Sequence, residues 1–308
     1  MAKYFFAPQD KTGDIVTLRG ETAHHLLNVL RLKPGADVTL CDGACTDYTA
    51  TLCKPTGGKL LPVDSCTFQI TATTPCQTEP SFPITVYQAH PKGDKIESVI
   101  QKSVELGAAK IVPLFTAHTL VKNIDKKQPR YQKIAHAAAE QCNRGILPEV
   151  AQPMKFKDAV ANKPPHIWLV ALSPSEVGDA PLSSLVEIAE SLHCPVPCEN
   201  KNRGDSFVFE NVKMPPYKPL ASLGIWIGPE GGFSPEEVAQ LLAAGAHAVS
   251  LGPRVLRTET VAPALLAQIS LLWESNDFGS LQREPFDKSN DLGSLRHEPF
   301  DRGDIIFA

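Results

Sequence analysis

The stretch Leu223-Gly224-Ile225-Trp226-Ile227-Gly228-Pro229-Glu230-Gly231-Gly232-Phe233-Ser234-Pro235-Glu236-Glu237 decides how this chain is read. Its first five residues are apolar, the pattern of a strand covered on both faces. Ser234, with Pro235 in the first turn and Glu237 three residues on, is a helix start signal. A strand that leaves through a glycine-rich turn into a helix belongs to an α/β domain, and such turns lie where open α/β sheets gather ligands. The turn is not a phosphate loop. It lacks the lysine of GxxxxGK and the spacing of GxGxxG, and Glu230 would repel a phosphate. A neutral or cationic group suits it better.

Working outward, the strand–helix alternation continues in both directions. Ile84–Ala89 reads as a strand, followed by a helix opened by Asp94 with Glu97 as a capping box and closed by Gly107. Lys110–Phe115 is the next strand and Arg130–Cys142 a long helix; His166–Leu172 and Leu223–Ile227 are buried-type strands. Ala248–Leu251 is the last strand and Glu259–Trp273 the last helix. Strand ends at Leu172, Ile227 and Leu251 therefore compete for one site. The third is followed by Gly252-Pro253-Arg254-Val255-Leu256-Arg257-Thr258-Glu259-Thr260. Thr258 as an N-cap and Glu259 as a first-turn acid are accounted for by helix capping alone. Arg254 and Arg257 are not, and they suit an anionic substrate.

Before residue 70 the pattern is different. Tyr4–Phe6, Asp14–Leu18, Ala36–Leu40 and Asp47–Leu52 are short β-rich runs punctuated by Gly13, Gly20, Pro34-Gly35 and Asp42-Gly43. One helix is expected over Glu21–Leu32, with Ala23, Leu26, Leu27 and Leu30 at helical spacing. These runs describe a small β-barrel over 1–72, a polar linker over 73–83 and an α/β domain over 84–274. Residues 193–220 hold five prolines and read as an exposed insertion, and residues 275–308 contain a direct repeat, Asp277–Asp287 recurring as Asp291–Asp301.

At 308 residues with 43% apolar and 21% charged content, the chain has the composition of an ordinary soluble globular protein. It shows no spanning apolar run and no secretory leader, so a cytoplasmic location is expected. The eight cysteines are too dispersed for a disulfide framework. His193, Cys194 and Cys198 lack a fourth ligand nearby, so no metal is expected. The net charge of −4 is uneven: residues 92–147 carry ten Lys/Arg against five Asp/Glu, and the tail is acidic. That central excess fits a phosphate-rich partner as well as it fits a solvated helix face.

IGPEGGFSPEE followed by LGPRVLRTET resembles the bacterial RsmE-like family of 16S rRNA uracil-N3 methyltransferases, within the SPOUT superfamily. Ala23-His24-His25-Leu26, Val29-Leu30-Arg31-Leu32-Lys33-Pro34-Gly35, Pro91-Lys92-Gly93-Asp94-Lys95, Gln101–Gly107 and Ala139–Arg144 carry the same likeness. The resemblance implies a PUA-like N-terminal barrel, a SPOUT-type parallel sheet domain with a trefoil knot, and a homodimer acting on 16S rRNA of the 30S subunit. S-adenosylmethionine would be held by Leu172, Ile227, Gly228, Pro229, Glu230, Gly231, Leu251, Gly252, Leu256 and Thr260. Arg257 would stabilise the uracil anion, with Thr258 and Glu259 orienting it. Arg31, Lys33, Lys92, Lys95, Lys102, Arg144 and Arg254 would contact RNA. The family pattern has an acidic-Arg-Ser stretch after the PLF strand, where this chain has Thr116-Ala117-His118-Thr119. The alternative is a methyltransferase acting on another RNA, or a silent RNA-binding assembly factor.

Overall fold

A computed structural model describes residues 3–54, 65–121, 127–162, 167–173 and 222–273, with positions 176, 182, 183, 185 and 188. The 193–220 insertion, the His193–Cys198 cluster and the repeat tail lie outside the described residues.

The N-terminal part is a six-stranded sheet in the order β1-β4-β5-β6-β3-β2. Its strands are β1 (Lys3–Phe5), β2 (Lys11–Thr12), β3 (Ile15–Arg19), β4 (Asp37–Cys41), β5 (Thr46–Leu52) and β6 (Ser65–Pro75). Alternation puts Val16, Leu18, Val38, Leu40 and Phe68 into one core. Two expectations change here. The helix over Glu21–Leu32 is a short α1 (Gly20–His24) running into a π-helical turn over His25–Val29. The wider turn keeps Leu26 inside but turns Val29 and Leu30 out to solvent. The expected linker also begins inside a strand, because Thr73–Pro75 continue β6 against Thr46–Tyr48 of β5.

The second sheet runs β10-β8-β7-β12-β11-β13, with β9 beside β8, and every pairing among the described residues is parallel. Its strands are β7 (Ile84–Ala89), β8 (Ala108–Phe115), β9 (Glu149–Val150), β10 (Met154–Lys155), β11 (Ile167–Ala171), β12 (Leu223–Ile227) and β13 (Ala246–Val249). Both faces are covered, which is why β7 and β12 are buried throughout. Against one face lie α2 (Lys95–Glu105), α3 (Gln128–Gln141) and α6 (Thr258–Trp273), meeting Val86, Leu169 and Ile225. Against the other lie α4 (Phe156–Ala161) and α5 (Pro235–Ala243), around Trp226 stacked on Tyr87 at 4.3 Å.

Helix ends follow the sequence unevenly. Ser234 accepts from the Glu237 N–H and Glu237 reaches back to Ser234 N, the expected capping box. Asp94 makes no such cap; its carboxylate pairs with Lys127, and Glu97 pairs with Arg130. Lys127, just before α3, and Arg130, on it, take these two acids instead. Gly107 and Gly245 end their helices at φ +94° and +89°, a conformation costly for any residue with a Cβ. The last strand starts and ends two residues earlier than expected, since Ser250 and Gly252 already form a turn. Among the described residues no helix is long and apolar enough to cross a membrane.

The two sheets meet through buried polar contacts. Lys3 Nζ donates to Asp47 at 2.8 Å and to the Asn143 carbonyl at 2.9 Å, and the Cys45 N–H donates to the Gly145 carbonyl.

Candidate active site

Because all the strands of the second sheet run the same way, the carboxyl ends of β11, β12 and β13 lie side by side. A cavity of about 480 Å³ opens there, walled by residues 171–173 and Glu176, by 227–232, and by 251–258 except Pro253. The order of the strands requires this meeting. From β12 the chain passes through α5 to β13 on the far side of β11, then returns so that α6 packs on α2 and β12. The returning segment is the arginine-rich stretch. The structure thus gathers Leu172, Ile227, Gly228, Pro229, Glu230, Gly231, Leu251, Gly252, Arg254, Leu256, Arg257 and Thr258 around one space.

Thr258 locks the crossing. Its buried hydroxyl donates to the Gly228 carbonyl at 2.7 Å and accepts from Gln88 Nε2 at 3.0 Å. Gln88 also donates to the Ala89 carbonyl, and it is fully buried at the end of β7. Thr258 therefore ties β7, the glycine-rich loop and the returning segment together. The Arg257 side chain is 82% exposed and reaches Glu259 only at 4.0 Å, which leaves its guanidinium available at the cavity mouth. Glu259 is the more enclosed partner and also faces Lys95 at 3.6 Å. Thr260 stands off the cavity wall, exposed, with its N–H donating to the Arg257 carbonyl.

The glycine-rich loop is braced from three sides. Glu230 accepts from the Lys92 N–H at 3.0 Å and from Lys95 Nζ at 3.0 Å. Burial opposes its ionisation, but bonds from its own N–H, Lys95 and the Lys92 N–H outweigh that and hold the carboxyl below its ordinary range. Glu176 accepts from the Phe233 N–H with one oxygen, and from the Ser173 N–H and hydroxyl with the other. His118 contributes Nδ1, 2.9 Å from the Gly231 carbonyl and 3.1 Å from that of Gly232. Carbonyls only accept, so Nδ1 carries the proton. The loop needs close backbone: a Cβ on Gly228 would meet the Gly232 carbonyl carbon at 3.0 Å. One on Gly232, at φ +69°, would run into Glu176.

Glu176, Gln88 and His118 were not singled out as site residues in the sequence. Glu176 had a signal, the Ser173-x-x-Glu spacing of a local cap. Gln88 had none, being one polar residue in a buried strand, and His118 was visible only as a departure from the family pattern.

The expected RNA contacts divide. Arg31, Lys33, Lys92 and Arg254 are exposed, and Lys102 is half-exposed in a pair with Glu105. Lys95 is committed to Glu230 and Glu259. Arg144 is a correction: its side chain is 3% exposed, binds Glu79 through two nitrogens and donates to the Val104 and Ala108 carbonyls. It holds structure and offers nothing to RNA. The central basic segment shrinks accordingly, since Lys95, Lys102, Lys110, Lys127, Arg130, Lys133 and Arg144 all carry ion pairs. Among the described residues no His/Cys/Asp/Glu group is arranged to hold a metal.

An RNA methyltransferase domain family matches residues 78–270, and an RNA methyltransferase PUA domain family matches residues 18–61. The chain is 32% identical to ribosomal RNA small subunit methyltransferase E of Synechocystis, over 87% of this chain and 77% of the relative. It is 29% identical to the protein of that name from Bacillus subtilis, over 88% and 96%. Its fold is similar to ribosomal RNA small subunit methyltransferase E from Neisseria gonorrhoeae, solved bound to S-adenosyl methionine, with a TM-score of 0.69, 27% identity and coverage of 89% and 98%. With the cavity at the strand ends and both domain families in place, the chain belongs to the ribosomal RNA small subunit methyltransferase E family.

Proposed function

We propose that the chain transfers a methyl group from S-adenosylmethionine to N3 of a uridine in 16S ribosomal RNA of the 30S subunit. The observation that carries this reading is the strand-end cavity, whose walls suit a sulfonium nucleoside. Leu172, Ile227, Leu251 and Leu256 offer apolar surface to an adenine ring, and the Gly228 and Gly231 backbone permits close approach. Glu176 and Glu230 make the wall hospitable to a cation and hostile to a phosphate. S-adenosylmethionine bound there supplies an electrophilic methyl group.

The rest is the work of this chain's residues. Thr258 and Gln88 fix the returning segment, so the cavity is rigid before substrate arrives. Arg257, exposed at the mouth, stabilises the negative charge that develops on the uracil carbonyls as N3 gives up its proton to water. Glu259 limits where that guanidinium can go. N3 lies on the pairing edge, so the uridine must be unpaired to reach the cavity. Arg31, Lys33, Lys92, Lys102 and Arg254 serve as phosphate contacts that set register. The same reading takes 1–72 as the RNA-binding part, 73–83 as the connection and 84–274 as the catalytic part. It includes a trefoil knot where residues 250–258 return, a homodimer and a cytoplasmic location. Sedimentation of the full chain as a monomer would remove the dimer.

The test is transfer of labelled methyl from S-adenosylmethionine to unmodified 30S subunits, followed by nucleoside analysis. Label in 3-methyluridine is expected. Label in another nucleoside keeps the methyltransferase and discards the N3 assignment, and neither label nor cofactor binding favours a silent RNA-binding factor. Arg257→Ala is expected to abolish turnover while cofactor affinity stays within about tenfold, roughly 1.4 kcal/mol. Loss of cofactor binding instead would move Arg257 from the reaction to the pocket wall.

A further inference from the structure

A second cleft, of about 530 Å³, opens where β1 and α1 of the N-terminal sheet face α3. Cavities of about 300–1,000 Å³ are the usual size for small-ligand recognition. One wall presents Tyr4, Glu21 and His25, and the other presents Lys133, His136 and Glu140. Tyr4 and His25 lie with ring centroids 6.3 Å apart, and the edge of Phe5 holds His136 at 5.6 Å. The cleft thus has an imidazole on each side. Neither ring takes part in the strand-end cavity.

Glu140 supplies the polar focus. One carboxylate oxygen accepts the Phe5 N–H at 3.3 Å, and the other faces His136 Nδ1 at 3.7 Å, too far for a hydrogen bond. A carboxylate has about four acceptor positions, so most of this one's capacity is unused. Burial pushes its pKa up, against the pull of His136, the Phe5 N–H and His25, as expected for an acceptor short of donors. Glu140, the more enclosed of the two carboxylates in the walls, disfavours a phosphate beside it. Among the described residues no group of three suitable side chains is placed for a metal. The flat rings and the under-used acceptor suit a flat aromatic ligand that donates N–H groups from one edge. Lys133, 73% exposed at the rim and paired with Glu21 at 3.1 Å, is placed for a phosphate attached outside.

We propose that this cleft seats one unpaired guanine of the substrate RNA, distinct from the methylated nucleotide. Its N1–H and N2–H edge rests on Glu140 and its ring lies against the imidazoles. The proposal rests on the reading that this chain acts on ribosomal RNA. Glu21 and His25 lie in the segment matching the PUA family, and Lys133, His136 and Glu140 in the segment matching the methyltransferase family, so an RNA strand crossing between the two passes the cleft. Single-stranded RNA is read in this manner, by stacking on flat side chains and hydrogen bonds to the pairing edge.

Two substitutions replace no core residue. Glu140→Gln keeps an acceptor for the Phe5 N–H but turns donors toward the guanine's own donors. Lys133→Glu reverses an exposed charge. With unmodified 30S subunits as substrate, each is expected to raise KM for RNA, Glu140→Gln by about tenfold, while kcat and S-adenosylmethionine affinity stay unchanged. Saturation-transfer NMR of the full chain with guanosine monophosphate is expected to give a signal that falls several-fold in Glu140→Gln. The adenosine monophosphate signal should not depend on that substitution. An unchanged KM in Glu140→Gln, or a guanosine signal that is absent or insensitive to it, overturns the proposal. If wild-type chain transfers no methyl to RNA, the underlying reading fails and the nucleotide titration alone judges the cleft.

Discussion

Arg144 and Thr258 show how far a side chain's role depends on what surrounds it. Both sit in motifs that carry the family likeness, and both were expected to serve a substrate. Arg144 instead satisfies Glu79 and two carbonyls in the interior. Removing it leaves a largely buried carboxylate unpaired, a loss of about 3–5 kcal/mol. Urea unfolding of Arg144→Ala is expected to show a fall of that size. A loss under about 1 kcal/mol would mean the guanidinium is not the anchor it looks to be. Thr258, by contrast, stays within the site but acts on backbone, through Gly228 and Gln88. Arg257, 82% exposed at the cavity mouth, is the charge that faces outward.

At the scale of elements, the loop 228–232 is the part of the site most exposed to conditions. Its clamp is the Lys95–Glu230 pair, with both side chains partly in water. The Glu230 pKa is lowered from 4.5, so its contribution is full above that value and lost as pH falls through the lowered one. Lys95 is raised from 10.5, chiefly by its hydrogen bond to Glu230, so its contribution is full below that value and lost as pH rises through the raised one. The difference in Tm between wild type and Glu230→Gln is expected to be constant over the intervening range and to vanish in acid. A difference that persists in acid would show that the clamp does not depend on the ionised carboxylate. Much of this scale was legible in the sequence. Ser234, Pro235 and Glu237 determine the start of α5 locally, and Ile84–Ala89 and Leu223–Ile227 are legible as strands because they are short, rich in β-branched and aromatic residues and bounded by turn residues. The turn over His25–Val29 was misread as plain α-helix because a π turn leaves the same apolar spacing. The Asp94 cap failed because Lys127 and Arg130, over 30 residues away, claim the acids.

For the whole molecule, the question is whether the two sheets stand or fall together. Lys3, buried in β1, bonds Asp47 in its own sheet and the Asn143 carbonyl beyond α3. All three tryptophans lie in the second part of the chain, at positions 168, 226 and 273. Lys3→Ala, which breaks a buried ion pair, is expected to cost about 3–5 kcal/mol. It should move the unfolding midpoint seen by tryptophan fluorescence, although no tryptophan is in its sheet. A fluorescence midpoint that stays put would show independent unfolding. The sequence alone determined most strands and helices of the second sheet, that the strand ends at 172, 227 and 251 are candidates for one site, and which family the chain resembles. Those properties are local, written in the period of apolar residues, in turn chemistry and in contiguous motifs. Only the tertiary structure decided that β13 lies beyond β11, so that Thr258 returns to Gly228. It also decided that Glu176 and His118 brace the same loop, and that Arg144 points inward while Arg257 points out. Those are contacts between residues far apart in the chain, and burial at such a place depends on packing that no short stretch of sequence encodes.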